Sequence, residues 1–219
     1  GDSAALVDFA AWSRKFPARK TALYVFDHGS NYTRSGDGLF SFDQETGHAM
    51  NARNISDGFR GMAKVLGRPI EFFVTDMCLV GSAEAMGELD GSLRFYVASR
   101  ESIRSYAVSV IDILRVLEKY PGIDAKRWAY QVVLLASKQN NDTNFSAFNI
   151  QGISNFERSL ADLIEALRRQ PAEARLKFQT HFLKECTFPS IGASSSFEFK
   201  DVLSCFYSTP GVKDWPEYR

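Results

Sequence analysis

Two short apolar runs in this chain each lead into a residue that can take part in nucleophilic chemistry. The run at 22–26 is followed closely by His28, and the run at 70–75 is followed closely by Cys78. Apolar runs of this length are typical of buried strands. If the two strands lie side by side and parallel, their carboxyl ends share one edge of the sheet, where open α/β sheets build their sites. We therefore expect the imidazole and the thiol at the same edge.

The rest of the chain alternates between strand-like and helix-like segments. Further strands are expected at 93–98 and 145–150, and a short hairpin near 39–42 within a long polar loop at 29–54. Apolar residues at helical spacing predict helices at 4–15 and 153–169, and further helices are expected at 55–66, 79–89, 107–119, 125–137, 172–184 and 199–206. This alternation predicts a three-layer α/β fold. The length fits a single domain over residues 1–219.

Composition excludes several classes of partner. The chain has 26 basic and 26 acidic residues, so its charge favours neither nucleic acid nor an acidic membrane surface. No apolar run approaches the roughly 20 residues that span a bilayer. The three cysteines are odd in number and well separated, which favours neither a disulfide framework nor a zinc site. We assign no metal ligands and expect one reactive thiol, Cys78.

The thiol and the imidazole are informative mainly as a pair. Cys78 precedes a predicted helix, whose N-terminus would favour the negative charge of a thiolate. Gly29 follows His28, and glycine lets the main chain approach a substrate closely. Alone, the cysteine is explained as a small buried apolar side chain and the histidine as a turn residue. At equivalent positions on two strands, they favour nucleophilic catalysis.

Around these residues the sequence resembles the clostripain family of cysteine peptidases, which has a caspase-like fold. The family shows a strand ending in His-Gly, an Asp-x-Cys-Leu element followed by small residues and Glu, and a Val-Ala-Ser strand end followed by acids. It also shows a Leu-Ser-Ala-x-Asp strand. The corresponding segments here are 25–30, 76–84, 96–101 and 145–149, and residues 1–9 are similar to the segment that leads into the first helix. The separation of about 50 residues between His28 and Cys78 is also that of caspase-like proteases.

The resemblance implies a cysteine endopeptidase acting on polypeptides. Cys78 would attack the scissile carbonyl, His28 would transfer the proton, and the N–H groups of Gly29 and Cys78 would hold the oxyanion. The family associates the acid at Asp76 with a pocket for a basic P1 side chain, and a carboxylate suits Arg or Lys. Alternatively, Asp76 caps the helix predicted to follow it. The chemistry itself requires no cofactor.

Two departures from the family pattern fall near the expected substrate groove. Arg100 stands beside Ser99 where an acid is usual, and Asn149 replaces the usual Asp. We expect Ser99 and Arg100 to contact substrate, with Arg100 pairing with Asp76 or Glu101 or favouring a different P1 residue. The family's first strands have no counterpart after Gly1, which suggests a fragment or a processed piece.

The resemblance also raises questions of activation. The loop at 29–54 is either a solvated surface or the site of an activating cleavage, and its acids Asp37, Asp43 and Glu45 are candidates for a structural or activating Ca²⁺, although their spacing fits no EF-hand. The alternative function is a regulatory module gated by an activator, a sensor domain or a missing N-terminal segment. A small-molecule hydrolase or transferase is disfavoured because the sequence has neither a Gly-rich phosphate loop nor a Gly-x-Ser-x-Gly elbow.

Overall fold

The computed structural model describes residues 2–30, 39–103, 107–139, 144–184 and 199–210. It divides the chain into two compact units, Gly1–Ser154 and Asn155–Arg219. The expected single domain stays a prediction. In chain order the elements are α1 (Ser3–Ser13), β1 (Ala22–Phe26), β2 (Leu39–Phe42), β3 (Ala49–Asn51), α2 (Ala52–Leu66), β4 (Ile70–Asp76), α3 (Ala83–Glu88), β5 (Leu93–Ser99), α4 (Val110–Lys119), α5 (Ala125–Gln139), β6 (Phe145–Asn149), α6 (Ile153–Arg169), α7 (Ala172–Lys184) and α8 (Phe199–Ser208).

The first unit is built on a sheet with the strand order β1-β4-β5-β6. Strands β1, β4 and β5 are parallel, and β6 joins the edge antiparallel to β5. The two strands that precede His28 and Cys78 are therefore immediate parallel neighbours, as the sequence predicts. A separate antiparallel hairpin pairs β2 with β3, in the region where a hairpin is expected.

The side chains of β4 point alternately to the two faces of the sheet, and helices pack against the apolar side chains on both faces. The ring of Phe72 meets that of Trp128 on α5, with centroids 4.4 Å apart. The ring of Phe73, on the opposite face, packs against Phe59 of α2 at 4.8 Å. All four aromatic side chains are buried. This arrangement confirms the three-layer α/β fold.

Most predicted elements are present, and one boundary matters for the site. The helix expected at 79–89 begins instead at Ala83, with the Ser82 hydroxyl accepting from the N–H of Ala85 at 3.3 Å as its N-cap. Leu79 has a φ of 62°, in the left-handed region, so the chain turns after Cys78 rather than starting a helix. The Ser/Gly/Pro-rich segment at 187–196 lies outside the described residues.

In the second unit, α7 and α8 pack through aromatic side chains. The rings of Phe178 and Phe206 meet edge to face with centroids 5.6 Å apart. His181 on α7 contacts the Ser208 hydroxyl on α8 at 3.2 Å, so it has a packing role at this helix pair. Within the part of the chain that the structure describes, no helix is both long and apolar enough to cross a bilayer.

Candidate active site

The register of β1 and β4 places His28 alongside Cys78. The last pair of the two strands is Phe26 with Asp76, and His28 and Cys78 each stand two residues further along the chain. Both side chains line one cleft of about 390 Å³, together with the acid Asp76. The complete lining is Phe26, Asp27, His28, Phe42, Gln44, Asp76, Cys78 and Ile103. The structure therefore brings together the three residues that sequence reasoning assigned to catalysis and P1 binding.

Gly29 packs its main chain directly against the turn that carries the thiol. A Cβ at this position would lie 2.5 Å from the carbonyl oxygen of Cys78 and 2.9 Å from the Cβ of Met77. Any larger residue would push the two turns apart, because carbon and oxygen atoms do not approach that closely. The position requires glycine for close approach to the Cys78 turn, whereas the sequence-based expectation was close approach to a substrate, which stays a prediction.

The turn after Cys78 is held by the segment that follows β5. The N–H of Leu79 donates to the carbonyl of Glu101 at 3.2 Å, and the N–H of Gly81 donates to the carbonyl of Ser99 at 2.9 Å. A Cβ at Gly81 would stand 3.0 Å from that same carbonyl. This main-chain pairing extends the contact between β4 and β5 past the ends of both strands and fixes the position of the sulfur.

The sulfur of Cys78 contacts the main chain of Ile103. The N–H of Ile103 donates to Sγ at 3.3 Å, and the thiol donates to the carbonyl of Ile103 at 3.6 Å. The helix N-terminus expected beside the thiol is absent from this position, because α3 begins only at Ala83. Sequence reasoning missed Ile103 since its contribution comes from main-chain atoms, which no residue type signals.

His28 is held by Asp27 and contacted by Gln44. One carboxylate oxygen of Asp27 accepts from the N–H of His28 at 2.6 Å and from that of Phe42 at 3.2 Å. Its other oxygen accepts from the Ser41 hydroxyl at 2.5 Å, so Asp27 ties the histidine turn to β2. The side-chain amide of Gln44 lies 3.4 Å from Nε2 of His28. Sequence reasoning passed over both residues, although an acid next to the candidate histidine is a signal that the sequence contains.

Asp76 is buried at the base of the cleft, with 2% of its surface exposed. One oxygen accepts from the Tyr24 hydroxyl and from the N–H of Val108, each at 3.5 Å. The other oxygen, Oδ1, is buried without a hydrogen-bond partner among the described residues. Helix α3 is capped by Ser82, so the interpretation of Asp76 as a helix cap is wrong.

Burial is the main cause of the shifted pKa values of Asp76 and Tyr24. Removal from water raises the pKa of Asp76 above its ordinary value, and hydrogen bonds from Val108, Tyr24 and Ala107 oppose that rise. Burial, then the charge of Asp76, raises the pKa of Tyr24 to about 12. Tyr24 therefore keeps its proton at neutral pH, and its hydroxyl donates to Asp76 and, at 3.0 Å, to the carbonyl of Val108.

Ser99 and Arg100 are near the site but do not line the cleft. Ser99 is fully buried, and its hydroxyl both accepts from the N–H and donates to the carbonyl of Glu101, each at 3.1 Å. The guanidinium of Arg100 donates to the side-chain carbonyl of Asn144 at 3.2 Å. Asn149 accepts from the N–H of Gln151 at 3.1 Å. The substrate contacts expected of Ser99 and Arg100 stay predictions.

The acids considered for calcium have other contacts or lie outside the described residues. The carboxylate of Asp43 accepts from the N–H of Glu45 at 2.9 Å and from the Thr46 hydroxyl at 2.5 Å, which closes the turn between β2 and β3. These bonds, that from Thr46 first, lower the pKa of Asp43. Asp37 falls within 31–38, which the structure does not describe. No group of three or more potential metal ligands is found among the described residues.

The α/β sheet with helices on both faces has the fold of the caspase-like cysteine peptidases, and its neighbouring strands β1 and β4 lead into the imidazole and the thiol. The model of the clostripain family matches residues 1–210, and the chain belongs to that family. Comparison with curated protein sequences finds no significant match.

Solved structures of C11 proteases share the fold. A secreted C11 cysteine protease from Bacteroides thetaiotaomicron, described as iotapain, is 12% identical with a TM-score of 0.60, over 93% of this chain and 57% of its own. A secreted C11 cysteine protease from the same organism, in complex with an irreversible peptide inhibitor, is 14% identical with a TM-score of 0.57, over 76% and 48%. An inactive zymogen C11 protease from Parabacteroides distasonis is 12% identical with a TM-score of 0.58, over 98% and 59%. The chain thus spans about half to three-fifths of the length of these proteins.

Proposed function

We propose that this chain forms the catalytic part of a cysteine endopeptidase, with Cys78 as nucleophile and His28 as the proton-transfer group. The observation that carries the proposal is the register of the two parallel strands, which sets both residues at the same level in one cleft. The packing of Gly29 against the Cys78 carbonyl supports it, because it brings the two turns into direct contact. Membership of the clostripain family supplies the reaction class.

The reaction follows the general acyl-enzyme route. His28 takes the proton of the Cys78 thiol, and the sulfur forms a bond to the carbonyl carbon of the scissile peptide. The N–H groups of Gly29 and Cys78 hold the resulting oxyanion. The C–N bond then breaks as His28 gives its proton to the departing amine. Water, activated by His28, hydrolyses the thioester, releases the acid product and returns the thiol.

Asp76 is proposed to bind an Arg or Lys side chain at P1. Its buried Oδ1, which has no hydrogen-bond partner in the part of the chain that the structure describes, supports this role, since an unpaired acceptor is costly and a cationic donor would satisfy it. Asp76 also lines the same cleft as the nucleophile. Ser99 and Arg100 are proposed to act on substrate through the segment after β5, which pairs with the Cys78 turn.

The test is cleavage of fluorogenic peptides that differ only at P1, with Arg, Lys, Asp or Leu. We expect turnover of the Arg and Lys peptides, loss of all turnover in Cys78→Ala, and no loss in the matched change Cys186→Ala. Labelling with an Arg-containing peptide electrophile, mapped by mass spectrometry, should modify Cys78. Turnover that persists in Cys78→Ala would refute the proposal.

A gated peptidase is the second candidate function, and two observations favour it. Asp76 is almost fully buried, and the Cys78 thiol is hydrogen-bonded to the main chain of Ile103. One solved protein of the same fold is described as an inactive zymogen. A gated enzyme would label poorly with the peptide electrophile until an activator or a cleavage is supplied, whereas an ungated one would label at once.

A further inference from the structure

We propose that the main-chain N–H of Ile103 is the group that positions the Cys78 sulfur and stabilises its thiolate. The proposal rests on the proposed function, because it concerns the same nucleophile. The sequence led us to expect a helix N-terminus for this task, but α3 begins only at Ala83. The Ile103 N–H, 3.3 Å from Sγ, occupies the position that such a donor would need.

The two contacts of Ile103 respond differently when the thiol ionises. The neutral thiol uses both, accepting from the N–H at 3.3 Å and donating to the carbonyl at 3.6 Å. When His28 takes the proton, the bond to the carbonyl is lost, because a thiolate has nothing to donate. The N–H bond remains and becomes charge-assisted, which makes it stronger than the bond to the neutral thiol. The donor thus favours the reactive form of Cys78.

The segment that carries Ile103 is held by main-chain contacts of Glu101, and the Ile103 side chain packs against the core cluster that includes Phe72 and Val108. Ser99 ties both main-chain groups of Glu101, and the carbonyl of Glu101 accepts from the N–H of Leu79, the residue after Cys78. The Ile103 N–H and the Cys78 sulfur therefore lie on two segments, the one after β5 and the one after β4, that are hydrogen-bonded to each other. A change that loosens the Ser99 turn should move the donor without touching the thiol.

Other charged and titratable groups lie around the sulfur. His28, Asp27 and Asp76 line the cleft with Cys78, and Glu101 lies on the segment that carries Ile103. An informative variant must leave all four unchanged. Replacement of Ile103 by proline leaves these four groups unchanged and removes the N–H at that residue, together with the isoleucine side chain. Ile103→Val keeps the N–H and serves as the matched control.

The experiment measures the alkylation of Cys78 by iodoacetamide as a function of pH, with the modified peptide quantified by mass spectrometry so that Cys186 and Cys205 do not contribute. Relative to the wild type, we expect Ile103→Pro to raise the pH of half-maximal alkylation by about one unit, a roughly tenfold slower reaction at neutral pH. Ile103→Val should leave the midpoint unchanged. The midpoint separates ionisation from access, because a change in access alters the maximal rate instead.

A second pair of variants covers failure of Ile103→Pro to fold. Ser99→Ala removes the hydroxyl that holds Glu101, whereas Ser102→Ala makes the same change at an exposed position next to Ile103. We expect a smaller rise in the midpoint for Ser99→Ala and none for Ser102→Ala. An unchanged midpoint in a folded Ile103→Pro, or in Ser99→Ala if the proline variant is unfolded, overturns the inference. Peptide cleavage is not part of this readout, so absent cleavage with a shifted midpoint would refute the peptidase proposal alone.

Discussion

The α-carbon of Gly29 lies against the carbonyl group of Cys78, so closely that a Cβ at residue 29 would stand 2.5 Å from the carbonyl oxygen. This contact joins the turn that carries the imidazole to the turn that carries the thiol. Neither turn can shift without moving the other, so the geometry of the proposed dyad depends on the absence of one side chain.

The variant Gly29→Ala should therefore reduce both stability and cleavage. Overpacking costs about 1–3 kcal/mol in the free energy of unfolding, and a displacement of about 1 Å between reacting groups lowers kcat/KM by about 100-fold. Gly122→Ala is the control, because a Cβ at Gly122 meets nothing within 4 Å. Urea denaturation and cleavage of the Arg peptide measure the two effects. Wild-type kcat/KM in Gly29→Ala would contradict the role given to this contact.

Asp76→Asn should lose activity on basic substrates while gaining stability at neutral pH. Burial raises the folded-state pKa of Asp76 above 3.8, so the folded protein holds this proton more tightly than the unfolded chain. This tighter binding of the proton stabilises the folded state at low pH, and the stabilisation is lost as the pH rises through the raised pKa of Asp76. Asn carries no such charge, so the melting temperature of Asp76→Asn should exceed that of the wild type increasingly above pH 3.8.

The loss of activity in Asp76→Asn should be at least about 30-fold in kcat/KM on the Arg peptide, the usual consequence of removing one partner of a buried charge pair. The control is Asp57→Asn, since the Asp57 side chain is 56% exposed. Equal stability of wild type and Asp76→Asn at every pH would show that the Asp76 carboxylate costs the fold nothing.

The raised pKa of Asp76 also predicts that kcat/KM falls at low pH for substrates with a basic P1 residue and not for uncharged ones. Only the ionised carboxylate pairs with guanidinium, so kcat/KM for an Arg peptide should fall as pH drops through the raised pKa of Asp76. A citrulline peptide has the same shape without the charge, and its cleavage should lack this limb. The measurement is the ratio of the two kcat/KM values between pH 4 and 8. A ratio that does not change with pH would show that the P1 cation of the Arg peptide does not bind at Asp76.

The variant Tyr24→Phe tests the hydrogen bonds that the Tyr24 hydroxyl makes with Asp76 and Val108. Loss of the hydroxyl removes the one O–H donor that the Val108 carbonyl and the Asp76 carboxylate share, at a cost of about 1 kcal/mol in the free energy of unfolding. In the wild type the folded-state pKa of Tyr24 is about 12, above its ordinary 10.0, so stability should fall as pH rises between these values. The alkaline decline should be shallower in Tyr24→Phe, and denaturant titrations at pH 9, 10 and 11 compare the two.

Asp27→Ala should detach the β2–β3 hairpin from the histidine turn. The change removes the acceptor for three hydrogen bonds, from His28, Ser41 and Phe42. We expect faster amide hydrogen exchange at 40–42 and a fall of about tenfold in kcat/KM, since His28 loses its support. Ser41→Ala, which removes only one of the three bonds, should give a smaller change in both. Wild-type exchange at 40–42 would mean that other contacts hold the hairpin.

The parts of the fold that follow from local periodicity could be predicted from the sequence. Helix α6 lies at the predicted residues, because apolar side chains at helical spacing mark it, and α7 also lies at the predicted residues. The apolar runs at 22–26 and 70–75 likewise specify β1 and β4. The side-by-side placement of His28 and Cys78 then follows from parallel pairing of the two strands.

The features that sequence reasoning missed depend on contacts between distant residues. The helix predicted from residue 79 is displaced because Leu79 and Gly81 donate to the segment after β5, about 20 residues later. The burial of Asp76 depends on Tyr24 and Val108, which lie 52 and 32 residues away in the chain. No periodicity within a strand or helix reports such pairings.

The parallel register of β1 and β4 makes the proposed chemistry sensitive to chain length inside the strands and tolerant of it elsewhere. Side chains of a strand alternate between faces, so inserting or deleting one residue within either strand turns its reactive side chain to the wrong side of the sheet. The turn at 120–124, which carries none of the residues that line the cleft, has no such constraint. Engineers grafting affinity tags or reporter peptides should therefore choose that turn and leave the two strands at their natural lengths.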